Sequence, residues 1–246
     1  MTLLDHPVLS QRYFFPRDDR PAAPWFVETG GQRLSCIRSA KHGKGMVLHF
    51  HGNGEVASDW SEDFAKSLDR AGIDLVLAEY RGYGGSTGTP MLEAMLDDAL
   101  GIADAAGVRF EDLVVYGRSV GSLYALHVAA HRPVKALVLE SGIADVHERI
   151  ALRVSGRDVG STDEALREAI ARAFDHEAKL RRTKCPVLVL HTKNDGMVEA
   201  HHAKALAGWA GDRGELVLFE NGNHNTIHAF NGPEILRRVA WLGGAG

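Results

Sequence analysis

The stretch that most limits what this chain can fold into is Leu113-Val114-Val115-Tyr116-Gly117-Arg118-Ser119-Val120-Gly121. The apolar run from Leu113 to Tyr116 reads as a buried strand. A helical pattern follows at once, carried by Leu123, Ala125, Leu126, Val128 and Ala129. A chain that passes from strand to helix with no intervening loop must turn sharply, and the residue at the centre of the turn is strained. Gly117 and Gly121 remove the side chains that would clash where strand and helix cross. Ser119 is then held at the tip with its hydroxyl exposed. The helix N-terminus beneath it offers unpaired N–H groups and a positive dipole end to a developing negative charge. An ordinary strand-to-helix turn with a capping serine has the same local spacing, so the remainder of the chain has to decide.

That remainder alternates strands with helices. Met46 to Phe50, Ile73 to Ala78, Val134 to Leu139, Val187 to His191 and Glu215 to Phe219 are short apolar runs of strand length. Helical spacing is expected over Val56 to Arg70, Met91 to Ala106, His201 to Ala210 and Glu234 to Leu242. Strands apolar on both faces and separated by helices imply an α/β fold, a mostly parallel central sheet with helices on both faces. Trp25 to Glu28 and Arg33 to Arg38 flank Thr29-Gly30-Gly31 and read as a β-hairpin. Residues 1–24 contain Pro7, Pro16, Pro21 and Pro24 and are expected to be irregular, with Tyr13, Phe14 and Phe15 packed on the domain. With 246 residues, the whole chain, 1–246, suits one domain with a substantial core.

Composition narrows the function classes. A net charge of -4 gives no electrostatic case for nucleic acid or for an anionic membrane surface. The 13 histidines are scattered, and Cys36 and Cys185 form no zinc or disulfide pattern, so no metal and no organic cofactor is expected. Both cysteines sit in or beside apolar runs and are expected as buried thiols. No signal-like N-terminus and no membrane-length apolar run occurs, so the expectation is a cytoplasmic protein without stable membrane association.

Sites of such sheets lie at the carboxyl ends of the strands, and the chemistry-bearing residues fall there. A serine hydroxyl is a poor nucleophile at neutral pH and needs a base, which is itself oriented by a carboxylate. Asp195 stands in His191-Thr192-Lys193-Asn194-Asp195-Gly196, directly after a strand, where an Asx-turn is the plain alternative. His224 stands in Asn221-Gly222-Asn223-His224-Asn225, also after a strand; an exposed loop histidine is its plain alternative. The order Ser119, Asp195, His224, each at a strand end, makes the joint reading far stronger than its parts. His51-Gly52-Asn53-Gly54 follows the strand one βαβ unit before the serine strand. Its Asn53 amide and the Val120 amide are expected as the two donors to a carbonyl oxyanion, with His51, Gly52 and Gly54 against the substrate. Arg118 is expected to contact the loop at Tyr80 to Ser86 in a structural salt bridge rather than in catalysis; Glu140 ends a strand beside the elbow, where support of the His224 region and capping or surface solvation are equal readings. The loop Arg81-Gly82-Tyr83-Gly84-Gly85-Ser86 lacks the lysine and helix start of a phosphate-binding loop.

Taken together, the HGNG turn, the RGYGGSTG loop, the GRSVG elbow, the HTKNDGMV turn and the NGNHN loop occur in the order of the α/β-hydrolases. The chain resembles that family over nearly its whole length, most of all the BEM46-like and ABHD13/ABHD17-like serine hydrolases. The resemblance implies Ser119 as nucleophile, His224 as base, Asp195 as acid, and amide donors at Asn53 and Val120. The chain departs from the family pattern at Thr192, where a glycine is common. It also lacks the cysteine-rich N-terminal segment of the depalmitoylase members, so palmitoyl-protein substrates are not carried over.

The expected activity is hydrolysis of a small-molecule carboxylic ester through an acyl-enzyme. Thioester or amide hydrolysis and acyl transfer at the same site are the alternatives, as is a non-catalytic binding protein on this fold. Gly142 to Lys184 is a long connection between core strands, with a helix expected over Glu164 to Phe174. It reads as a small lid, at about 142–184, over an open site suited to small or medium acyl groups.

Overall fold

The computed structural model describes residues 2–43 and 45–245. Met1, Lys44 and Gly246, which the reading of 1–246 as one domain includes, lie outside the described residues. In chain order the elements are α1 (Pro7–Tyr13), β1 (Trp25–Thr29), β2 (Gln32–Ser39), β3 (Met46–Phe50), α2 (Asp63–Arg70), β4 (Asp74–Ala78), α3 (Ala94–Ala105), β5 (Leu113–Arg118), α4 (Gly121–His131) and β6 (Ala136–Glu140). They continue with α5 (Val146–Ala151), α6 (Asp163–Ala173), α7 (His176–Arg182), β7 (Val187–Thr192), α8 (Ala200–Ala210), β8 (Gly214–Phe219) and α9 (Ile227–Gly243).

The strands form one eight-stranded sheet in the order β1-β2-β4-β3-β5-β6-β7-β8. The hairpin β1–β2 and the β2–β4 pair are antiparallel, and every other pairing is parallel. Successive residues of a strand point to opposite faces, and here both faces are apolar. Val47, Val114, Tyr116, Val138 and Leu190 pack with Ile227, Ile235 and Val239 of α9 on one side. Leu48, Val115, Leu137 and Val189 pack with α3, α4 and α8 on the other. Helix α4, which buries Leu123, Tyr124, Ala125, Leu126 and Val128, is apolar all round because it lies between the sheet and its neighbouring helices.

Register sets where the site forms. Phe50 pairs with Gly117 and Arg118 with Glu140, so β3, β5 and β6 end side by side. Thr192 pairs with Phe219 at the ends of β7 and β8, and the Lys193 amide donates to the Phe219 carbonyl at 2.9 Å. The turns bearing Asp195 and His224 are thereby brought together.

Three expectations are corrected. Residues 1–24 are not wholly irregular. Pro7 starts α1 at the first helical position, where its missing N–H leaves nothing unpaired, and the His6 side chain accepts from the Val8 amide. Val56 to Arg70 is not one helix but a 3-10 turn, Ala57–Trp60, followed by α2. Asp59 accepts from the Val56 amide, and the Ala57 amide is drawn to Glu79 at 2.9 Å, which holds the tighter turn. The closing helix begins at Ile227 and runs through Pro233, because Ile227 and Ile235 are both anchored in the core. Among the described residues no helix is long and apolar enough to cross a membrane, and Cys36 and Cys185 are buried free thiols.

Candidate active site

Ser119 sits between β5 and α4 with φ at 51°, a left-handed conformation that costs a non-glycine residue energy. The turn is clamped on both sides. The Ser119 amide donates to the Glu140 carbonyl at 2.9 Å, and the Ser122 hydroxyl donates to the Ser119 carbonyl at 2.6 Å. Both flanking glycines are sterically required. A Cβ on Gly121 would lie 2.2 Å from the Phe50 carbonyl oxygen, and one on Gly117 would lie 2.5 Å from the Gly121 carbonyl oxygen.

His224 bridges the serine and the carboxylate. Its Nδ1 lies 2.7 Å from Asp195 Oδ2 and its Nε2 lies 3.1 Å from Ser119 Oγ. An ionised carboxylate can only accept, so Nδ1 carries the hydrogen and neutral Nε2 accepts from the serine hydroxyl. The other Asp195 oxygen, Oδ1, accepts from the amides of Met197 at 2.9 Å and Val198 at 2.8 Å. Burial pushes the Asp195 carboxyl up, but the bond and charge of His224 and these two amides outweigh it and hold its pKa below the ordinary value. The Asx-turn and the orientation of His224 are thus both served by Asp195, one oxygen for each.

A cavity of about 390 Å³ opens above Ser119. Its walls include Gly52, Asn53, Val120, His224, Ile143, Leu152, Met197 and Val198, together with Tyr13 and Phe15 from the N-terminal segment. Asn53 and Val120 both border it, and among the described residues neither backbone amide donates a hydrogen bond. The Asn53 side chain is occupied elsewhere: Nδ2 donates to the Tyr13 carbonyl, and Oδ1 accepts from the Phe15 amide and the Tyr83 hydroxyl, each at 3.0 Å. That fixes the turn and leaves its amide free.

Two of the residues expected against the substrate are not there. His51 is fully buried behind the turn. Its Nδ1 donates to the Gly52 carbonyl and its Nε2 to Glu79, both at 2.8 Å. With both nitrogens donating, the ring is an imidazolium. Burial lowers its pKa, but the Glu79 charge and hydrogen bond outweigh that and raise it. His51, the residue after β3, is buried in the core and braces the turn. Gly54 does not line the cavity; with φ at 81° it shapes the turn and lies against Phe15. Gly52 does line it.

Arg118 is also placed differently from expectation. Rather than meeting the Tyr80–Ser86 loop, it lies under the histidine. Its Nε donates to Glu55 at 2.8 Å, Nη1 to Glu140 at 2.9 Å, and Nη2 to the His224 carbonyl at 2.9 Å. Glu140 is completely buried and also accepts from the Tyr116 hydroxyl and, at 2.7 Å, from His228 Nε2. Burial raises the Glu140 carboxyl, yet His228 and Arg118 outweigh it and hold the pKa far below the usual carboxylate range. His228 is committed to that bond and lines a neighbouring cavity, not the one above Ser119.

Glu55, Glu79, Arg149 and Arg153 were not singled out by the sequence. Glu55 and Glu79 lie in or after turns, where an acidic residue normally faces water. Only the register that buries the ends of β3, β4 and β5 together gives them partners. Arg149 and Arg153 have the spacing of charges on an exposed helical face.

Comparison with known proteins agrees with this architecture. Residues 41–161 match the family described as serine aminopeptidase, S33. Alpha/beta hydrolase domain-containing protein 17B from Homo sapiens is 25% identical over 206 residues, covering 81% of this chain and 68% of that protein. Lysophosphatidylserine lipase ABHD12 from Rattus norvegicus is 30% identical over 218 residues and covers 79% of this chain; the chain spans 54% of that relative's length. A crystal structure of a hydrolase from Pseudomonas aeruginosa PA01 superposes with a TM-score of 0.70 at 21% identity, covering 92% of this chain and 100% of that one. The parallel sheet, the strained serine turn and these likenesses together place the chain in the α/β-hydrolase superfamily, as an ABHD-like hydrolase.

Proposed function

We propose that the protein is a serine carboxylesterase acting on small-molecule esters through an acyl-enzyme. One observation carries the reading: the unbroken chain from Ser119 Oγ through His224 to Asp195, set in a cavity with two unpaired amides. His224 Nε2 takes the hydroxyl proton as Ser119 Oγ attacks the ester carbonyl carbon. The amides of Asn53 and Val120 hold the oxyanion, and Asp195 stabilises the imidazolium. The imidazolium returns its proton to the departing alkoxide oxygen. Water then attacks the acyl group with His224 as base, and the proton goes back to Ser119 as the acid leaves. No step draws on a metal or an organic cofactor.

Residues 142–184 act as the lid in this reading. They supply α5, α6 and α7 between β6 and β7, and Ile143, Leu152 and two arginines from this segment border the cavity. A space of about 390 Å³ open to solvent suits small or medium acyl groups. Two buried free thiols suit a reducing compartment, which supports a cytoplasmic site of action. A chain-length series of p-nitrophenyl esters tests the reading. Maximal kcat/KM is expected at short to medium acyl chains, and an optimum at long chains contradicts it.

A further inference from the structure

Arg149 and Arg153 both line the cavity that holds Ser119. They lie one helical turn apart, Arg149 in α5 and Arg153 in the turn that follows it, where its amide donates to the Ile150 carbonyl at 2.9 Å. Like charges at this spacing oppose each other and weaken the turn. Neighbouring arginines have carboxylate partners: Arg12 has Asp158, Arg17 has Asp59, and Arg118 has Glu55 and Glu140. Among the described residues Arg149 and Arg153 have none.

The position of the pair is defined. The Arg153 guanidinium lies 4.8 Å from the centre of the Phe15 ring. The Phe15 amide in turn donates to Asn53 Oδ1 and to the Tyr83 hydroxyl. The Arg153 cation is therefore tied through Phe15 to the turn that carries Asn53. The acid that does line this cavity, Glu55, is already engaged by Arg118, the Gly52 amide and the Trp60 indole. The adjoining cavity of about 620 Å³ has Asp59, Glu62 and Asp63 on its walls, with Asp59 paired to Arg17 and Glu62 to Lys66. Cations without a carboxylate partner among the described residues line the cavity above Ser119 and not this one.

We infer that the cavity takes esters whose acyl or alcohol portion ends in an anionic group, a carboxylate or a phosphate, held by Arg149 and Arg153. This rests on the ester-hydrolase reading above. Guanidinium forks match either anion with paired, charge-assisted hydrogen bonds. Leu152, Met197 and Val198 provide an apolar wall for the carbons that link the anion to the scissile carbonyl.

Two matched substrate pairs separate the sources. One sets p-nitrophenyl valerate against p-nitrophenyl monoglutarate, placing a carboxylate on the acyl side. The other sets 1-butyrylglycerol against its 3-phosphate, placing a phosphate on the alcohol side. In at least one pair the charged member is expected to have a kcat/KM roughly tenfold above its neutral partner, mostly through KM. That ratio is expected to collapse in Arg149→Gln/Arg153→Gln and to survive largely in Arg149→Lys. Charged members no faster than neutral ones in both pairs, or a ratio unchanged in the double variant, overturn the inference. Calorimetry on Ser119→Ala protein with glutarate and with glycerol 3-phosphate reads binding without turnover. Anion binding without hydrolysis of any pair removes the hydrolase reading and leaves the cationic subsite standing. Hydrolysis of neutral esters with no anion binding and no charge preference removes the subsite alone.

Discussion

Beneath Ser119 and above it, the molecule is built by different rules. The floor is the joined carboxyl ends of β3, β5 and β6, where Arg118, Glu140, Glu79 and His51 are buried and each finds a partner of opposite charge. Buried charges there are paired, since an unpaired one is costly. The roof is made by residues 142–184, the Asp195 turn and the N-terminal segment. It leaves Leu152 at 67%, Met197 at 50% and Phe15 at 44% exposure, with two arginines that have no carboxylate partner among the described residues. In the proposed function the floor holds the reacting groups to a fixed geometry, while the roof presents contacts for a substrate to complete. On that reading, stability and catalysis fall to one side of the serine and selectivity to the other.

Arg118→Met breaks the floor most severely. It strips the guanidinium from buried Glu140, leaving His228 and Tyr116 as its partners, removes the cationic partner of Glu55, and takes the anchor from the His224 carbonyl. A loss of about 3–5 kcal/mol is expected in chemical denaturation, together with a fall in kcat. Adding Glu140→Leu should recover part of the stability, because the under-compensated buried charge is gone, but not the kcat. Equal recovery of both would mean that Arg118 does not position His224.

Acid probes the same region more gently. The folded pKa of Glu140 is depressed, so its stabilising contribution is present above the ordinary carboxyl value of 4.5 and is lost as pH falls through the depressed one. His51 has the opposite sign. Its pKa is raised, so its contribution is full below 6.5 and is lost as pH rises through the raised value. Unfolding free energies of Glu140→Gln and His51→Gln relative to the parent should therefore converge on the parent at opposite ends of the pH range. Convergence at the same end contradicts the pairings.

The roof should respond least in stability. Leu152→Ala removes an exposed side chain and is expected to change unfolding free energy by no more than about 0.5 kcal/mol. It should shift KM along an ester chain-length series by several-fold. A large stability loss with an unchanged series would move Leu152 from the roof to the core.

The floor's chemistry was legible in the sequence where local pattern and strand ends coincide. Ser119, Asp195, His224, Asn53 and Val120 each follow an apolar run, and strand ends gather wherever a parallel sheet forms. What stayed hidden depends on register and on face. His51 looks like a substrate contact until the fold buries it against Glu79. Arg118 looks free to reach the Tyr80–Ser86 loop until its alignment with Glu140 offers it a nearer acid. Prolines mislead at Pro7 and Pro233, since the first helical position tolerates one and strong anchoring at Ile227 and Ile235 carries α9 through the other. Arg149 and Arg153 carry no local signal, because a cavity wall and a solvent face share the same periodicity.

The central claim is tested most directly by intact-mass analysis after treatment with a fluorophosphonate. A single covalent adduct mapping to Ser119 is expected, with labelling slowed roughly a thousandfold or more in His224→Gln. An adduct at another residue, or labelling of Ser119 at the parent rate without the imidazole at position 224, would contradict it.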